Sequence, residues 1–293
     1  MSYVLITPAR NEEENLPKLA ECLINQTVIP KAWVIIDDRS TDDTSNIAIQ
    51  FSKQYPWVYH HRLNDDIKTD SEIAKWEFGY SNVIVKGLKF ARELCQQEAI
   101  SYEYLGKTDA DLPMSTDFFE KLVAEFELND QLGVASGCFA VKRLIDAPLP
   151  YGIYLIRRSV LDQIGDLPVD YDIDALISIR AKARGWETRV FPDINFKNER
   201  PIGLWNAKRH GFKCYVRDSH PFVLFWYFAL QLRRGGLRPG FEFLLGYFSA
   251  LFRRENKVHD KEMRYYYRHT QAKWLRKELA AKFSRRRNCN NLQ

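Results

Sequence analysis

An alternation in the first half most constrains what this chain can fold into. Short apolar runs that end in polar clusters take turns with stretches of helical period. Val4–Thr7, Trp33–Ile36, Trp57–His60, Tyr102–Leu105 and Leu132–Ser136 read as strands. Glu12 to Asn25 reads as a helix, with Leu16, Leu19, Ala20, Leu23 and Ile24 at helical spacing. Further helices are expected from Thr41 or Asp42 to Phe51, from Asn82 to Leu94 and from Asp117 to Phe126. Strands alternating with helices imply a mostly parallel sheet covered on both faces. Ligands of such sheets bind beyond the carboxyl ends of the strands. Three polar clusters fall there: Pro8–Glu12, Asp37–Asp42 and Thr108–Asp111.

The second half reads differently. Tyr154–Arg157 looks like one more strand, and Thr188–Phe191 and Asn195–Lys197 look like two short ones. Asp174–Arg184 is an amphipathic helix that Gly185 stops. Residues 198–220 mix Gly, Pro, charge and aromatics and read as a loop region. Two aromatic-aliphatic segments follow, Phe222–Leu230 extending to Leu232 and Phe241–Phe252, with Arg233 to Pro239 between them. A basic helix over about 258–286 ends the chain.

Asp109-Ala110-Asp111 at a strand end is the strongest local signal. One carboxylate can accept a ribose hydroxyl, and the other can hold a hard divalent cation that prefers oxygen ligands. The same two acids are equally at home in a solvated turn. In Asp37-Asp38 a carboxylate at the end of an apolar strand can accept a nucleobase N–H, while Asp42 or Thr41 caps the next helix. The Glu12–Glu14 run suits a first helical turn through the helix dipole. Pro8 and Ala9 leave an open backbone edge against which a base could lie.

Three motifs occur in one order: Ile6-Thr7-Pro8-Ala9-Arg10-Asn11-Glu12-Glu13, Val34-Ile35-Ile36-Asp37-Asp38-Arg39-Ser40-Thr41-Asp42 and Lys107-Thr108-Asp109-Ala110-Asp111-Leu112. Together they resemble glycosyltransferase family 2, and the likeness extends through Tyr154–Gly165 to cover about residues 3–200. The resemblance implies an α/β fold of the GT-A type, a Rossmann-like, mostly parallel sheet flanked by helices. It implies an inverting, metal-dependent transfer of a sugar from a nucleotide-diphospho-sugar, a UDP- or GDP-sugar, to an acceptor hydroxyl. Pro8 and Ala9 would pack on the nucleotide, with Arg10, Glu12 and Lys107 beside the donor. Asp38 would accept the base N–H and Asp109 would face the ribose. Asp111, with Asp109 next to it, would hold Mn²⁺ or Mg²⁺.

The family carries a Glu-Asp pair shortly before the Gly that ends the next helix. Counting back from Gly185 puts Ile173 at the Glu position and Asp174 at the Asp position. Asp174 is therefore the expected catalytic base, with Asp172 as a stand-in for the missing Glu. Where relatives place a metal-binding His, this chain has Asn198 or Glu199; His210 lies off register and reads as structural or loop-exposed. Arg200–Gly203, Gly246-Tyr247 and Asp260–Arg268 are similar to bacterial members that make cell-surface polysaccharides.

Charge is uneven along the chain. Residues 253–293 hold 13 Lys+Arg against 4 Asp+Glu, whereas the remaining residues hold 30 against 34. A basic end of this kind points to an anionic partner surface. The nine apolar residues of Phe222–Leu230 fall short of the ~20 that cross a bilayer. Aromatics beside arginine clusters suit helices lying in the membrane interface, which is the reading taken for a C-terminal helical membrane-associating extension. Ordinary packing on the sheet domain and a re-entrant hairpin are the alternatives. The expected division is thus residues 1–200 as the nucleotide-sugar-binding and catalytic domain and 201–293 as the extension. The expected location is cytoplasmic, peripheral on the inner face of the membrane, and the membrane argument extends to a lipid-linked or polysaccharide acceptor.

Rival classes are narrowed by what the sequence lacks. Five scattered cysteines without a CxxC give no zinc ribbon or disulfide framework and fit a reducing compartment. No basic, then apolar, then small-residue run stands before the first strand, so a secretory leader is not expected. A nucleotidylyltransferase would need a Gly-rich phosphate loop after that strand, where Pro8–Glu12 has no Gly. Nucleic acid is not expected as a partner, because aromatics interleaved before the basic end suit lipid better. A non-catalytic protein of the same fold, docking to membrane through its basic helices, remains the alternative function.

Overall fold

A computed structural model describes residues 2–64, 72–139, 151–197 and 207–290. The chain forms two compact units that divide between Pro201 and Ile202. The first holds strands β1 (Tyr3–Ala9), β2 (Ala32–Asp37), β3 (Val58–Arg62), β4 (Tyr104–Lys107), β5 (Leu132–Phe139), β6 (Tyr154–Arg157) and β7 (Glu187–Phe196). Its helices are α1 (Leu16–Ile24), α2 (Thr44–Gln54), α3 (Glu72–Gln97), α4 (Phe118–Leu128), α5 (Arg158–Ile164) and α6 (Ile173–Ala183). The strands form one seven-stranded sheet in the order β3-β2-β1-β4-β6-β5-β7. All neighbours are parallel except β6, which runs antiparallel to both β4 and β5.

The period of two along a strand sorts side chains to the two faces. Tyr3 and Leu5 of β1 and Trp33 and Ile35 of β2 share one core with Leu16, Leu19 and Leu23 of α1 and Phe118, Phe119, Leu122 and Phe126 of α4. Ile6 and Ile36 point the other way and meet α3, where a Cβ on Gly87 would lie 3.1 Å and 3.0 Å from them. Every residue of β2 is buried, which is why it reads as an unbroken apolar run. Val34, Ile35 and Ile36 each contribute roughly 1.5–3 kcal/mol by leaving water.

Several sequence expectations are revised. β7 is one strand, not two; Pro192 interrupts its apolar pattern near an irregularity in register opposite Ser136 and Cys138, where a missing N–H is tolerated. The Glu12–Glu14 run lies before α1, which has no acid in its first turn. α2 starts at Thr44, later than expected, and the Asp42 carboxylate accepts from both the Thr44 N–H (3.1 Å) and its hydroxyl (2.6 Å). α3 starts at Glu72, ten residues ahead of the expected Asn82.

The second unit is helical: α7 (Ala207–Val216), α8 (Pro221–Gly235), α9 (Leu237–Phe252), α10 (Lys261–Tyr265), a π-helical turn over Tyr266–Thr270 and α11 (Gln271–Asn290). Residues 207–216 are therefore a helix rather than a loop. Gly211 reads as a breaker, yet its missing Cβ lets α7 and α9 touch backbone to backbone. A methyl there would collide with the Phe243 carbonyl, and one on Gly246 would collide with the Lys208 carbonyl. Arg233 to Pro239 is no long separator either. Only Gly236, at φ +78°, breaks the helices, and Pro239 sits in the first turn of α9, where no intrahelical donor is needed. His210 is buried in this unit with its ring 4.2 Å from that of Tyr227 and 5.4 Å from that of Phe243, a packed core histidine.

Candidate active site

β1, β2 and β4 are adjacent and parallel, so their carboxyl ends meet. The chain beyond them is held by backbone bonds: Asp38 N–H donates to the Ala9 carbonyl (2.8 Å) and Thr108 N–H to the Ile6 carbonyl (3.0 Å). The first two polar clusters are then sewn together. Asn11, at φ +56°, donates its N–H to Ser40 Oγ (3.1 Å), and its side chain accepts from Thr41 N–H (2.9 Å). Glu12 N–H donates to Thr44 Oγ1 (2.7 Å). Much of what reads as a ligand motif therefore shapes the loops.

Three of the residues expected beside the donor are enclosed in this structure. The Glu12 carboxylate is turned into its own loop, buried, and accepts from Asn15 Nδ2 (2.7 Å). Ala9 is also buried, so only Pro8 of that pair keeps surface. Lys107 has no exposed side-chain surface. Asp37 and Asp38 divide as adjacent residues at a strand end must. Asp37 is wholly buried, pairs with Arg62 Nη1 (2.6 Å) and accepts from Ser40 N–H (2.8 Å). Burial presses its pKa upward, but the Ser40 and Ser45 hydrogen bonds and the Arg62 charge outweigh that and hold it below the usual carboxylate value. Asp38 is buried too, though its carboxylate keeps 10% of its surface between two guanidinium groups, Arg39 at 2.7 Å and the exposed Arg10 at 3.4 Å.

The third cluster carries the unusual chemistry. Register pairs Lys107 of β4 with Tyr154 of β6. Gly106 permits that approach, because a methyl there would collide with the Tyr154 carbonyl. The Lys107 ammonium reaches Asp109 Oδ1 (2.8 Å) and Asp174 Oδ2 (3.4 Å) and donates to the Tyr80 hydroxyl. Tyr154 donates to Asp174 Oδ1 (2.9 Å), and the Tyr80 hydroxyl lies 3.3 Å from both Asp109 Oδ1 and Asp174 Oδ2. Asp109 and Asp174 keep 29% and 20% of their side-chain surface, so the cluster is sealed on the lysine side and open on the carboxylate side. Trp76, half exposed, stacks on Tyr80 with ring centroids 5.5 Å apart and extends the aromatic wall outward.

Burial raises the Asp174 pKa above the ordinary value, with the Asp109 charge adding to it; Lys107 and the Tyr154 hydrogen bond act against the rise. Burial alone would discharge Lys107, but the two carboxylates outweigh it and leave its pKa raised. Burial and the same carboxylates push Tyr80 and Tyr154 well above the usual phenol value, so both act as hydrogen-bond donors at neutral pH. One cation facing two carboxylates leaves the cluster with an excess of negative charge.

Asp111 is half-buried two residues beyond Asp109, with Ala110 and Leu112 buried between and after them. Alternation thus keeps both acids of Asp109-Ala110-Asp111 outside the core. Their oxygens are the hard donors that Mg²⁺ or Mn²⁺ takes. Among the described residues no three His, Cys, Asp or Glu side chains gather into a metal-binding group. A cation here would draw one or two carboxylates from the protein and the rest from phosphate, the usual arrangement for Mg²⁺ at phosphoryl sites. Asn198 and Glu199 lie outside the described residues. Asp172 is the residue before α6, half-buried at φ +55°, and its carboxylate does not cap the helix; Asp174 is in the first turn, where the helix dipole favours a carboxylate.

Sequence reasoning missed Tyr80 and Tyr154, which contact the acids, and Asp170. Tyr154 was findable as the cross-strand partner of Lys107 once β6 was placed next to β4. Asp170 is fully buried, accepts from Tyr171 N–H (2.8 Å), and its own N–H donates to Ser81 Oγ (3.1 Å), which ties the approach to α6 onto α3.

Residues 4–147 match the family described as glycosyl transferase family 2. The poly-beta-1,6-N-acetyl-D-glucosamine synthase of Staphylococcus epidermidis is 26% identical over 127 residues, 43% of this chain and 26% of that one. The 4,4'-diaponeurosporenoate glycosyltransferase of Staphylococcus aureus is 27% identical over 136 residues, 46% of this chain and 31% of that one. The matched region thus spans about a quarter to a third of the length of these curated relatives. Among solved structures, the mannosyltransferase PcManGT from Pyrobaculum calidifontis, in complex with GDP-Man and Mn²⁺, matches with a TM-score of 0.52 at 18% identity, over 85% of this chain and 69% of that one. Staphylococcus aureus TarS in complex with UDP matches with a TM-score of 0.50 at 14% identity, over 86% and 72%. The shared architecture is the GT-A fold.

Proposed function

Residues 4–147 place this chain in glycosyltransferase family 2, and from that premise we propose that it moves a sugar from a nucleotide-diphospho-sugar to an acceptor hydroxyl, with Asp174 as general base. The observation that carries the proposal is the gathering of Asp109 and Asp174 around the buried Lys107 at the carboxyl end of β4. Each feature of that cluster serves a base. Partial burial raises its pKa, so that it takes a proton more readily than an exposed carboxylate. Lys107 and Tyr154 keep it ionised and fix its orientation. A carboxylate has about four lone-pair sites, and the exposed side of Asp174 retains capacity for the incoming hydroxyl.

The proton of the acceptor hydroxyl passes to Asp174 as its oxygen bonds to the anomeric carbon. The bond from that carbon to the diphosphate oxygen breaks, and the nucleoside diphosphate leaves. One displacement with no covalent enzyme intermediate inverts the configuration. In this reading Asp38, held between Arg10 and Arg39, would accept the base N–H, and Pro8 would pack on the nucleotide. Asp111, with Asp109, would hold Mn²⁺ or Mg²⁺, whose chemistry is to neutralise the departing diphosphate.

The class of donor is supported by GDP-Man on PcManGT and UDP on TarS, although those likenesses are of fold. The relatives named for a sugar polymer and for 4,4'-diaponeurosporenoate support a polysaccharide or lipid-linked acceptor. The test is Asp174→Asn in purified protein supplied with UDP- and GDP-sugars. The variant should transfer at least ~10²-fold more slowly while binding donor as before. Transfer at the wild-type rate would remove Asp174 from the mechanism.

A further inference from the structure

α9 divides its surface into three sectors. Gly240, Phe243, Gly246 and Ala250 face inward and are buried. Arg238, Glu242 and Ser249 form a polar flank, with Arg238 Nε donating to Glu242 Oε1 (3.1 Å). The third sector is apolar and exposed: Leu237, Phe241, Leu245, Phe248 and Phe252, spaced four, four, three and four residues apart. At 1.5 Å per residue this ridge runs about 22 Å along the helix. Phe241 is 63% exposed and Phe252 81%. α8 adds an exposed Phe225. Soluble monomers seldom leave so many large apolar side chains together in water.

Charge says what meets the ridge. Arg233 is exposed at its start and Arg253 and Arg254 at its end, while Arg238 and Glu242 answer each other. An apolar ridge with guanidinium groups at both ends complements acyl chains beneath anionic headgroups. Among the described residues no helix is long and apolar enough to cross a membrane. We infer that α9 docks flat on an anionic lipid surface, burying Leu237, Phe241, Leu245, Phe248 and Phe252 among the acyl chains and setting its arginines against the headgroups.

The test is sedimentation of the full chain with phosphatidylcholine vesicles, with and without phosphatidylglycerol. Wild type should bind the anionic vesicles and release as salt rises. Phe241→Glu with Phe248→Glu should lower the partition at least tenfold. Arg253→Ser with Arg254→Ser should lower it by roughly fivefold per charge on anionic vesicles only. All four side chains are exposed, so thermal unfolding should not change, and donor binding measured in the same samples reports the sugar-transfer reading separately. Equal partition of wild type and Phe241→Glu/Phe248→Glu would overturn the inference. So would a wild-type dimer that the same change turns into a monomer while no vesicle binding is seen, which would assign the ridge to a second copy of the chain.

Discussion

The first unit buries a charged lysine and the second exposes a row of phenylalanines. Each inverts the usual partition of polar and apolar groups, and the two inversions differ in what sustains them. Lys107 stays inside because Asp109, Asp174 and Tyr80 answer its charge and its protons. The α9 ridge has no such charged partner: Phe248 meets Tyr247 and Phe252, while Phe241 and Phe252 stay mostly in water. The first inversion is therefore bound up with folding, and the second is separable from it. The lesson is that an energetic exception held by partners marks a site built into the fold, whereas one without partners marks a surface meant for something else.

Lys107→Met should break this contrast most severely. It leaves two carboxylates facing each other without their cation and should cost about 3 kcal/mol of stability, the low end for a broken buried pair because both acids keep some solvent. Urea unfolding checks it, and a loss under about 1 kcal/mol would mean that the lysine is dispensable to the fold. Next comes Gly246→Ala, where a methyl meets the Lys208 carbonyl and must push α7 and α9 apart. It should cost about 1–3 kcal/mol, read as faster hydrogen exchange in both helices. Phe241→Ser should do least to folding, within about 0.5 kcal/mol, although it removes a large apolar side chain. A thermal shift of more than a few degrees would show that the ridge supports the fold after all.

The same contrast explains what could be read from sequence. The central strands were legible because a parallel strand buried on both faces is an apolar run, as in β2. Lys107 was not legible as a core residue. At the end of a strand it reads as solvent-facing, and what holds it inside comes from Asp174, 67 residues onward, and from Tyr80 on a helix whose first turns carry no strong apolar period. Asp174 was reached only through its distance from Gly185, which indeed adopts φ +86° after α6. The Pro8–Glu12 and Asp37–Asp42 clusters do lie at the carboxyl ends of β1 and β2, but the way their side chains turn is not legible. Hydrogen bonds such as Glu12 to Asn15 and Asn11 to Thr41 decide orientation, and residue type alone does not encode them. α7 was missed because Gly211 weakens a helix in isolation and strengthens one that must touch a neighbouring backbone.

The most direct test of Asp174 as base is the acid limb of kcat/KM for sugar transfer. A base must be deprotonated to act, so activity should fall as pH drops through the Asp174 pKa, at a pH above the ordinary carboxylate value because burial raises it. Tyr154→Phe removes the hydrogen bond that opposes this rise while keeping the ring, so the limb should move further up in pH. A limb at the ordinary carboxylate value that does not move in Tyr154→Phe would contradict the account and assign the proton to another group.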